Sequence, residues 1–523
     1  MGGQPGPAAG SVGNVLEHAL ATEPQHEALV SADTRLSYEE LDQAVDRAAA
    51  ALGALGLRRD DVVAVSLPNA SDIVVTFHAV MRLGAVWLGV NRNLAPPEKH
   101  FILRDSGASL LLASPDVVST IGSAVDATPA QMPHVAIGDE GGVWRDMVAN
   151  APTSYRRPIC RATDAAGIAY TSGTTGRPKG VVHSHRNLLL PGAMVIEARG
   201  LGPDLRKGDC AALTILNMQI TSTLLVSQAC GTQIVMDRVD PLGVAQWVKQ
   251  ASINSWFGVP TILQGLTACS EVDAEDLSTL RDVWTGGTYL PEPIRHAFEE
   301  RFGCRVSATY GLTEAPTIVT IENPTEARVP ESSGRPLPHV LVEIRDNDKV
   351  LPVGETGEIT IRARETGRYA GMYRPMLGYL GQPEASAHSV RNGVLYTGDI
   401  GYFDGEGRLF VRDRRNALIL RGGANVYPAE VERVLLDAPG VRGVTVVGVP
   451  DDRLGQRVAA AIEPEEGFAL DVGELARYCA SQLARYKVPD FWKVGTLPRN
   501  AMGKVIRTDL EDWFSASEVT SAP

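Results

Sequence analysis

The chain is poor in the patterns that mark several classes of protein. Its 523 residues contain only six cysteines, and no two of these form a C-x-x-C pair. Neither a zinc site nor a disulfide framework is therefore indicated, and we expect the reduced thiols of a cytoplasmic protein. No uncharged apolar stretch is long enough to span a bilayer, so no integral membrane segment is predicted. The ten N-terminal residues lack the basic and apolar regions of a signal peptide.

Basic residues are also in the minority, with 49 Lys and Arg against 62 Asp and Glu, which gives a formal net charge of −13. This balance argues against a nucleic-acid partner. A polyanionic ligand would have to meet locally arranged donors instead of a general positive field. The ten histidines show no spacing typical of metal ligands, and we expect His183 and His185 to lie at the start of a helix.

Helix and strand patterns alternate along the chain. A capping box at Ser37–Glu40 precedes apolar residues at helical spacing, and a second helix is expected at 71–83. Buried strands are expected at 62–67 and 85–90. This alternation predicts the α/β class, with layered subdomains built on mostly parallel sheets.

The best candidate for a domain boundary lies near residue 413. A turn-rich segment at 404–408 precedes it, and the last ~110 residues carry an α+β pattern of their own, with strands at 444–449 and 458–462. We therefore predict a large N-terminal α/β domain at 1–413 and a small C-terminal α+β domain at 414–523.

A loop rich in glycine and hydroxyl side chains follows a short apolar run at 168–170. Glycines let backbone N–H groups approach an anion, hydroxyls donate hydrogen bonds and lysine supplies charge. The spacing is not that of a Walker loop, and a flexible polar turn is the alternative. The residues of this candidate phosphate loop are Thr171, Ser172, Gly173, Thr174, Thr175, Gly176 and Lys179.

Four further motifs follow in order, and each is weak alone. Paired glycines can support a flat ring, a Tyr-Gly-Leu-Thr-Glu run combines stacking with phosphate and Mg²⁺ chemistry, an Asp after a turn can bind ribose hydroxyls, and a lysine after glycine can reach a ligand. The alternatives are ordinary turns, a core tyrosine and a solvated lysine. The four are Thr285-Gly286-Gly287-Thr288, Tyr310-Gly311-Leu312-Thr313-Glu314, Tyr396-Thr397-Gly398-Asp399 and Pro498 to Lys504.

Taken together, these motifs resemble those of adenylate-forming enzymes of the acyl-CoA synthetase superfamily, from about residue 14 to 510. The resemblance implies ATP, Mg²⁺ and CoA as cofactors and a small-molecule carboxylic acid as substrate. It implies activation of that acid as an acyl-adenylate with release of pyrophosphate, and then transfer to CoA. The small domain would be mobile and would rotate between the two half-reactions.

The resemblance also implies roles for individual residues. The phosphate loop would hold the β- and γ-phosphates, Glu314 would hold Mg²⁺, and Lys504 would bridge the acid and the α-phosphate. Thr313, Glu314 and Lys504 would thus be catalytic. Further ATP contacts are implied for Gly287, Thr288, Thr309, Tyr310, Gly311, Asp399 and Arg414. The glycines Gly422 and Gly423 would line the CoA passage.

The sequence departs from the family pattern at two places. Gln219 stands where the family usually has a pocket histidine, and glutamine cannot become cationic. Asn416 stands at the hinge, where Lys or Asp is usual, and is followed by Ala417. Candidate residues of the acid pocket are Met218, Gln219, Trp256, Phe257 and Thr285. Two bulky rings there would favour an aryl or medium-length acid, although Trp256 and Phe257 could equally belong to the core.

Two other readings stay open at this point. One keeps the adenylation but changes the acceptor, as in loading of an amino acid on a carrier protein or activation of nitrite for attack by an amine. The other is a nucleotide-binding protein without catalysis. The sequence does not specify the acid or the oligomeric state.

Overall fold

A computed structural model provides the three-dimensional structure of the chain. It describes residues 10–122, 133–138, 142–171, 178–287, 290–414, 419–421, 424–426, 428–451, 454–483, 485–499, 505–507, 510, 513–514 and 520–521. Within these residues no helix combines the length and the apolar composition that crossing a membrane requires.

Fifteen α-helices cover the sheets of the described ranges, together with short 3-10 helices and one π-helix at Gln219–Leu224. The predicted helix at 71–83 has the expected bounds, and Ser37 and Glu40 form the expected capping box. The helices are α1 (Glu17–Thr22), α2 (Tyr38–Ala54), α3 (Ser71–Leu83), α4 (Pro96–Asp105), α5 (Pro115–Gly122), α6 (Val143–Asn150), α7 (His185–Arg199), α8 (Leu216–Met218), α9 (Leu225–Ala229), α10 (Pro241–Ala251), α11 (Pro260–Ala268), α12 (Glu292–Phe302), α13 (Pro383–Ser389), α14 (Pro428–Leu436) and α15 (Val472–Gln482).

Four sheets form the framework of the described residues. Their strands are β1 (Glu27–Val30), β2 (Arg35–Ser37), β3 (Val62–Ser66), β4 (Val86–Gly89), β5 (Leu110–Ala113), β6 (His134–Ala136), β7 (Ala165–Thr171), β8 (Lys179–Ser184), β9 (Arg206–Asp209), β10 (Thr232–Val235), β11 (Ser255–Phe257), β12 (Asp282–Gly286), β13 (Val306–Leu312), β14 (Thr317–Ile321), β15 (Arg335–Pro336), β16 (Val340–Asp346), β17 (Lys349–Val350), β18 (Gly357–Ala363), β19 (Gly378–Tyr379), β20 (Val390–Arg391), β21 (Val394–Phe403), β22 (Leu409–Arg414), β23 (Ile419–Arg421), β24 (Ala424–Val426), β25 (Val441–Asp451), β26 (Gly455–Pro464), β27 (Phe491–Val494) and β28 (Thr520–Ser521).

The two largest sheets are mostly parallel. One has nine strands in the order β15-β14-β13-β12-β11-β9-β10-β1-β2, and the other has seven in the order β19-β8-β7-β4-β3-β5-β6. In each, antiparallel pairs occur only toward the edges. The predicted α/β class with mostly parallel sheets is confirmed for these two layers.

The third sheet differs from that expectation. Its strands β17-β16-β18-β21-β20, with β22 on β21, pair antiparallel throughout. Short connections such as Asp346 to Lys349 join neighbouring strands and leave no room for the crossover helix that parallel pairing needs. The fourth sheet contains β23 to β28 and carries α14 and α15.

The helical pattern of α2 shows why these layers pack. Leu41, Val45, Ala48 and Leu52 lie along one face, and all four are buried in the core between α2, α3 and the seven-stranded sheet. Burial of a Val or Leu side chain contributes about 1.5–3 kcal/mol. The opposite face of α2 carries charged and polar residues, as a surface helix requires.

Candidate active site

The candidate phosphate loop lies between two paired strands. Strand β7 ends at Thr171, β8 begins at Lys179, and these two residues are opposite each other in the antiparallel register. The loop that joins them is therefore held at both ends by the sheet. Ser172, Gly173, Thr174, Thr175 and Gly176 lie outside the described residues.

Tyr379 connects the end of this loop to the predicted Mg²⁺ ligand. The Nζ of Lys179 lies 5.0 Å from the centre of the Tyr379 ring. The Tyr379 hydroxyl donates a 2.9 Å hydrogen bond to Oε1 of Glu314, and the N–H of Met376 donates to the Glu314 carbonyl at 2.9 Å. The structure thus brings Lys179 and Glu314, which are 135 positions apart in the sequence, to one ring.

Thr313 is held from β8 by a buried histidine. The Nε2 of His183 lies 2.7 Å from the Thr313 carbonyl oxygen, and Asn187 lies 3.3 Å from Nδ1. Burial lowers the pKa of His183 to about 4, so the ring is neutral at pH 7. His183 lies on β8, not at the start of a helix as predicted; only His185, the first residue of α7, fits that expectation.

The predicted ribose ligand contacts the predicted adenine-stacking ring. The hydroxyl of Tyr310, on β13, donates a 2.7 Å hydrogen bond to Oδ2 of Asp399 on β21, and both residues are buried. Arg414 at the end of β22 is paired in register with Asp399. Three strands from two sheets therefore converge at this point.

Strand β12 packs closely against β13 at Gly286, which is paired with Thr309, the residue before Tyr310. We call the surface of Gly286 and Gly287 the ledge. The Thr309 hydroxyl donates to the Thr285 carbonyl at 3.0 Å. A Cβ on Gly286 would lie 2.2 Å from Thr309 Oγ1, whereas Gly287 has φ +77° and a Cβ there would meet no atom of the described residues within 4 Å. Glycine is thus required at position 286 by contact and at 287 by backbone angle. Neither residue adds a side chain to the ledge, which leaves its own surface flat enough to stack on a ring.

The candidate acid-pocket residues fall into two groups. Met218 and Gln219 lie where α8 passes into the π-helix, a rare form that is frequent at functional sites. Gln219 is fully buried; its Nε2 donates to the Leu213 carbonyl at 2.7 Å, and its Oε1 has no partner among the described residues. The Thr285 hydroxyl oxygen is likewise buried without a partner within the described ranges.

Trp256 and Phe257 face opposite sides of the nine-stranded sheet. Trp256 is fully buried in the core under α10, α11 and α12. Phe257 is only partly buried and packs against two other core clusters, one of which contains Met218. Only Phe257 therefore shares a face with Met218.

A buried ion pair that the sequence did not suggest supports this region. Lys207 Nζ lies 3.1 Å from Asp209 Oδ1, and both side chains are at most 1% exposed. The same oxygen accepts the N–H of Phe257 at 3.0 Å, one residue beyond the last β9–β11 pair, Gly208 with Trp256. Asp209 thereby continues the ladder with its side chain and fixes the start of the loop after β11.

Several predicted site residues cannot be placed. Thr288, Asn416, Gly422, Gly423 and Lys504 lie outside the described residues, as do the hydroxyls and glycines of the phosphate loop named above. Within the described part of the chain, no group of three or more His, Cys, Asp or Glu side chains could hold a metal ion by itself.

With this geometry established, comparison with known proteins decides the family. Residues 16–369 match the family model described as AMP-binding enzyme, and residues 430–504 match the AMP-binding enzyme C-terminal domain. The chain belongs to the AMP-binding enzyme family. The predicted membership in the adenylate-forming acyl-CoA synthetase superfamily is confirmed.

Relatives of this AMP-binding enzyme cover almost its whole length. A feruloyl-CoA synthase from Amycolatopsis sp. is 33% identical over 94% of this chain and 96% of the relative. The long-chain-fatty-acid–CoA ligase FadD13 of Mycobacterium tuberculosis is 31% identical over 97% and 99%. The structure of o-succinylbenzoate coenzyme A synthetase (MenE) from Bacillus subtilis, in complex with ATP and magnesium ion, matches with a TM-score of 0.82 and 28% identity over 95% and 99% of the two chains.

These relatives confirm the predicted activity class, an AMP-forming acid–CoA ligase that acts on a small-molecule acid. They also confirm that the family uses ATP, Mg²⁺ and CoA. They differ in the acid, since one is named for feruloyl-CoA and the other for long-chain fatty acids.

Sequence reasoning missed four residues of this site, namely Tyr379, His183, Asn187 and Asp209. Tyr379 lies on a two-residue strand with no motif around it, and Asp209 resembles any carboxylate at the end of a strand. The histidine pair after Lys179 was the one available signal, and it was assigned to a helix start.

Proposed function

We propose that the chain activates a carboxylic acid as its adenylate in one pocket between the phosphate loop, the Thr313–Glu314 turn and the Tyr310–Asp399 pair. The observation that carries this proposal is the convergence of Lys179 and Glu314 on the ring of Tyr379. Cation, carboxylate and hydrogen-bond donors meet there, although they come from distant parts of the chain.

In the first half-reaction, an oxygen of the acid attacks the α-phosphorus of ATP and pyrophosphate leaves. Negative charge accumulates on the phosphate oxygens, so the pocket has to supply fixed cations and hydrogen bonds and needs no general base. We assign this role to Lys179, Thr313 and Lys504, with Thr171 to Gly176 around the β- and γ-phosphates.

Nucleoside contacts are assigned to the second part of the pocket. Gly287 and Tyr310 would enclose the adenine, beside Thr288, Thr309 and Gly311, while Asp399 and Arg414 would bind the ribose hydroxyls. The Tyr310 hydroxyl fixes the Asp399 carboxylate before the nucleotide arrives, so less side-chain freedom is lost on binding.

Glu314 would hold Mg²⁺. A half-buried carboxylate that accepts a hydrogen bond from a tyrosine hydroxyl fits the oxygen donors that this ion prefers, and the remaining ligands would come from nucleotide phosphates and water. When bound, the ion neutralises charge on the phosphates. Tyr379 fixes the direction of the Glu314 carboxylate through their hydrogen bond.

In the second half-reaction, the thiol of CoA attacks the acyl carbon and AMP leaves. We propose that the domain at 414–523 turns about Asn416 between the two steps, withdraws Lys504 and brings Gly422 and Gly423 to the thiol passage. The boundary near 413 agrees with the two ranges matched by the family models, which leave residues 370–429 between them. Because ATP and CoA are its co-substrates, we place the enzyme in the cytoplasm.

For the acid, we propose an aryl or medium-length substrate. Phe257 and Met218 would shorten the pocket. The buried oxygens of Gln219 and Thr285, which have no partner within the described part of the chain, would favour a polar group on the acid. Trp256 would support this wall from the opposite face of the sheet.

Pyrophosphate release over a panel of acids tests the proposed function. The panel contains hydroxycinnamic, benzoic, medium-chain and long-chain fatty and amino acids together with nitrite, each with and without CoA. We expect release with an aryl or medium-chain acid and turnover only with CoA. Glu314→Gln keeps the hydrogen bond with Tyr379 but removes the charge, so it should require more Mg²⁺, with Glu384→Gln on exposed α13 as the matched control.

The non-CoA alternative predicts a different result in the same panel. Pyrophosphate release that requires an amine or a carrier protein, and is indifferent to CoA, would favour it. Gln219 and Asn416 are the residues that motivate this second candidate.

A further inference from the structure

The buried pair His183 and Asn187 has no role in the chemistry described above, yet it lies against the Thr313–Glu314 turn. Both side chains are 1% exposed. His183 is on β8, four residues after Lys179, and Asn187 is in the first turn of α7. The pair is thus built into the segment that leads out of the phosphate loop.

Hydrogen bonds fix the proton position on the His183 ring. The Thr313 carbonyl can only accept, so Nε2 of His183, at 2.7 Å, must carry the hydrogen. Nδ1 must then accept, and the Asn187 amide nitrogen, at 3.3 Å, supplies that hydrogen.

The orientation of the Asn187 amide is fixed independently. Its nitrogen also donates to the Pro375 carbonyl at 2.9 Å, and its oxygen accepts from the Ser184 hydroxyl at 3.1 Å. Every donor in this hydrogen-bond network therefore meets an acceptor. A buried polar network holds one geometry under that condition.

The network joins three segments around Glu314. The Thr313 carbonyl belongs to the planar peptide unit that leads into Glu314, so holding it limits rotation on the N-terminal side of Glu314. On the other side, Pro375 begins the segment in which Met376 binds the Glu314 carbonyl and Tyr379 binds its carboxylate. His183 and Asn187 therefore contact both segments that orient Glu314.

We propose that His183, supported by Asn187, is a positioning residue that sets the orientation of the Thr313–Glu314 turn for the phosphates and Mg²⁺ of MgATP. This inference rests on the proposed roles of Thr313 and Glu314. The histidine acts through the turn and does not touch the nucleotide. Its loss should therefore weaken recognition of the magnesium triphosphate and leave recognition of the nucleoside unchanged.

Binding of two probes to the full chain tests this inference. Dissociation constants are measured by calorimetry for MgATP and by competition for adenosine, which lacks phosphate. For His183→Phe, which keeps a ring but loses both nitrogens, we expect MgATP to bind about tenfold more weakly, the loss typical of a hydrogen bond in a dry site, and adenosine within twofold of the wild type. His183→Gln restores a donor of similar reach and should recover most of the MgATP affinity.

His185 provides the matched control. It is as buried as His183 and lies two residues further on, but its Nδ1 accepts from the Val12 N–H at 3.3 Å and does not approach the turn. His185→Phe should lose stability to a similar extent and keep its affinity for MgATP. Asn187→Leu should reproduce the effect of His183→Phe, and the double variant should be no weaker than either single one.

These measurements distinguish failure of the positioning role of His183 from failure of the proposed function. If the wild type binds no MgATP, the proposed function fails. If the wild type binds it and folded His183→Phe binds it equally well, or loses adenosine and MgATP affinity in the same proportion, the positioning role is refuted. Unfolding of His183→Phe would leave the Gln and Asn187 variants to decide, and unchanged MgATP affinity in Asn187→Leu would likewise refute it.

Discussion

The hydroxyl of Tyr310 lies 2.7 Å from Oδ2 of Asp399, and this hydrogen bond joins the nine-stranded sheet to the antiparallel sheet. Both residues are buried, at 8% and 5% exposure. A residue assigned to the adenine and one assigned to the ribose are thus held together by the protein itself. In the proposed site, the nucleoside would thus lie where two sheets meet.

Removing the Tyr310 hydroxyl should weaken ATP binding without loss of the stacking ring. In Tyr310→Phe, the Asp399 carboxylate loses a fixed donor, so we expect the ATP dissociation constant to rise about tenfold, or about 1.4 kcal/mol. Tyr373→Phe is the control, since the Tyr373 hydroxyl is buried without a partner in the described part of the chain. Calorimetric titration with ATP measures both, and an equal effect of the two variants would contradict the assignment.

Replacing Lys207 by methionine should destabilise the fold strongly. It leaves Asp209 buried without its cation, which typically costs about 3–5 kcal/mol. Burial already raises the pKa of Asp209 against the lowering effect of Lys207, so the carboxyl group should take up a proton in this variant. Urea unfolding gives the free energy.

Two further variants test whether the effect of Lys207→Met comes from unpaired buried charge. Lys249→Met breaks an ion pair with Asp276 at 2.9 Å in which the lysine is 59% exposed, and should cost less than about 1 kcal/mol. Lys207→Met/Asp209→Leu removes both charges and should recover much of the loss. A double variant less stable than Lys207→Met would show that the burial of unpaired charge is not the cause.

Four buried histidines predict loss of stability in mild acid. Burial lowers the pKa of His78 and His339 to about 3 and that of His183 and His185 to about 4. The unfolded chain binds protons near pH 6.5 and the folded chain does not, so the free energy of unfolding falls as pH drops below about 6.5. Each histidine contributes up to about 1.4 kcal/mol per pH unit.

The variant His339→Phe isolates one of these contributions. Its free energy of unfolding should fall by about 2 kcal/mol less than that of the wild type between pH 7 and pH 5. His296→Gln, at an exposed histidine, should follow the wild-type curve. Urea unfolding at the two pH values measures the difference, and identical curves for all three proteins would contradict burial of a neutral imidazole.

A side chain at position 286 should disturb the ledge that we propose holds the adenine. In Gly286→Ala the new Cβ would lie 2.2 Å from Thr309 Oγ1, so the hydroxyl has to leave the Thr285 carbonyl. A displacement of about 1 Å near a reacting site can lower the reaction rate about 100-fold. We expect a loss of MgATP affinity of about tenfold to 100-fold here.

Gly303→Ala is the control for this substitution. It also replaces a glycine, but the new Cβ would meet no described atom within 4 Å, and Gly303 has positive φ at the end of α12. It should lose about 1 kcal/mol of stability and no MgATP affinity. Unaltered binding in folded Gly286→Ala would show that the ledge does not contact the nucleotide.

Local sequence patterns predicted helices well where the side chains of a few neighbouring residues determine the structure. The capping box of Ser37 and Glu40 and the bounds of α3 follow from side-chain chemistry within a few residues. The antiparallel sheet was missed because strand direction depends on connections and on distant partners, which periodicity does not encode. Spacing likewise could not assign Trp256 and Phe257 to their different environments, although neighbouring strand residues must alternate in face.

The motifs supplied the residues with obvious chemistry, such as Lys179, Glu314 and Asp399. Those that orient them, Tyr379 for Glu314 and His183 for Thr313, come from segments about 65 and 130 positions away and have no pattern of their own. Reactive groups are therefore easier to recognise in a sequence than the groups that hold them in place.

Transfer of oxygen from the acid to AMP tests the central claim most directly. An acid from the panel that supports turnover is labelled with ¹⁸O in its carboxylate and converted with MgATP and CoA, and the products are examined by ³¹P NMR. If the carboxylate attacks the α-phosphorus, one ¹⁸O atom per turnover will appear in AMP and none in pyrophosphate. Formation of ADP, or AMP without the label, would contradict adenylate formation in this pocket.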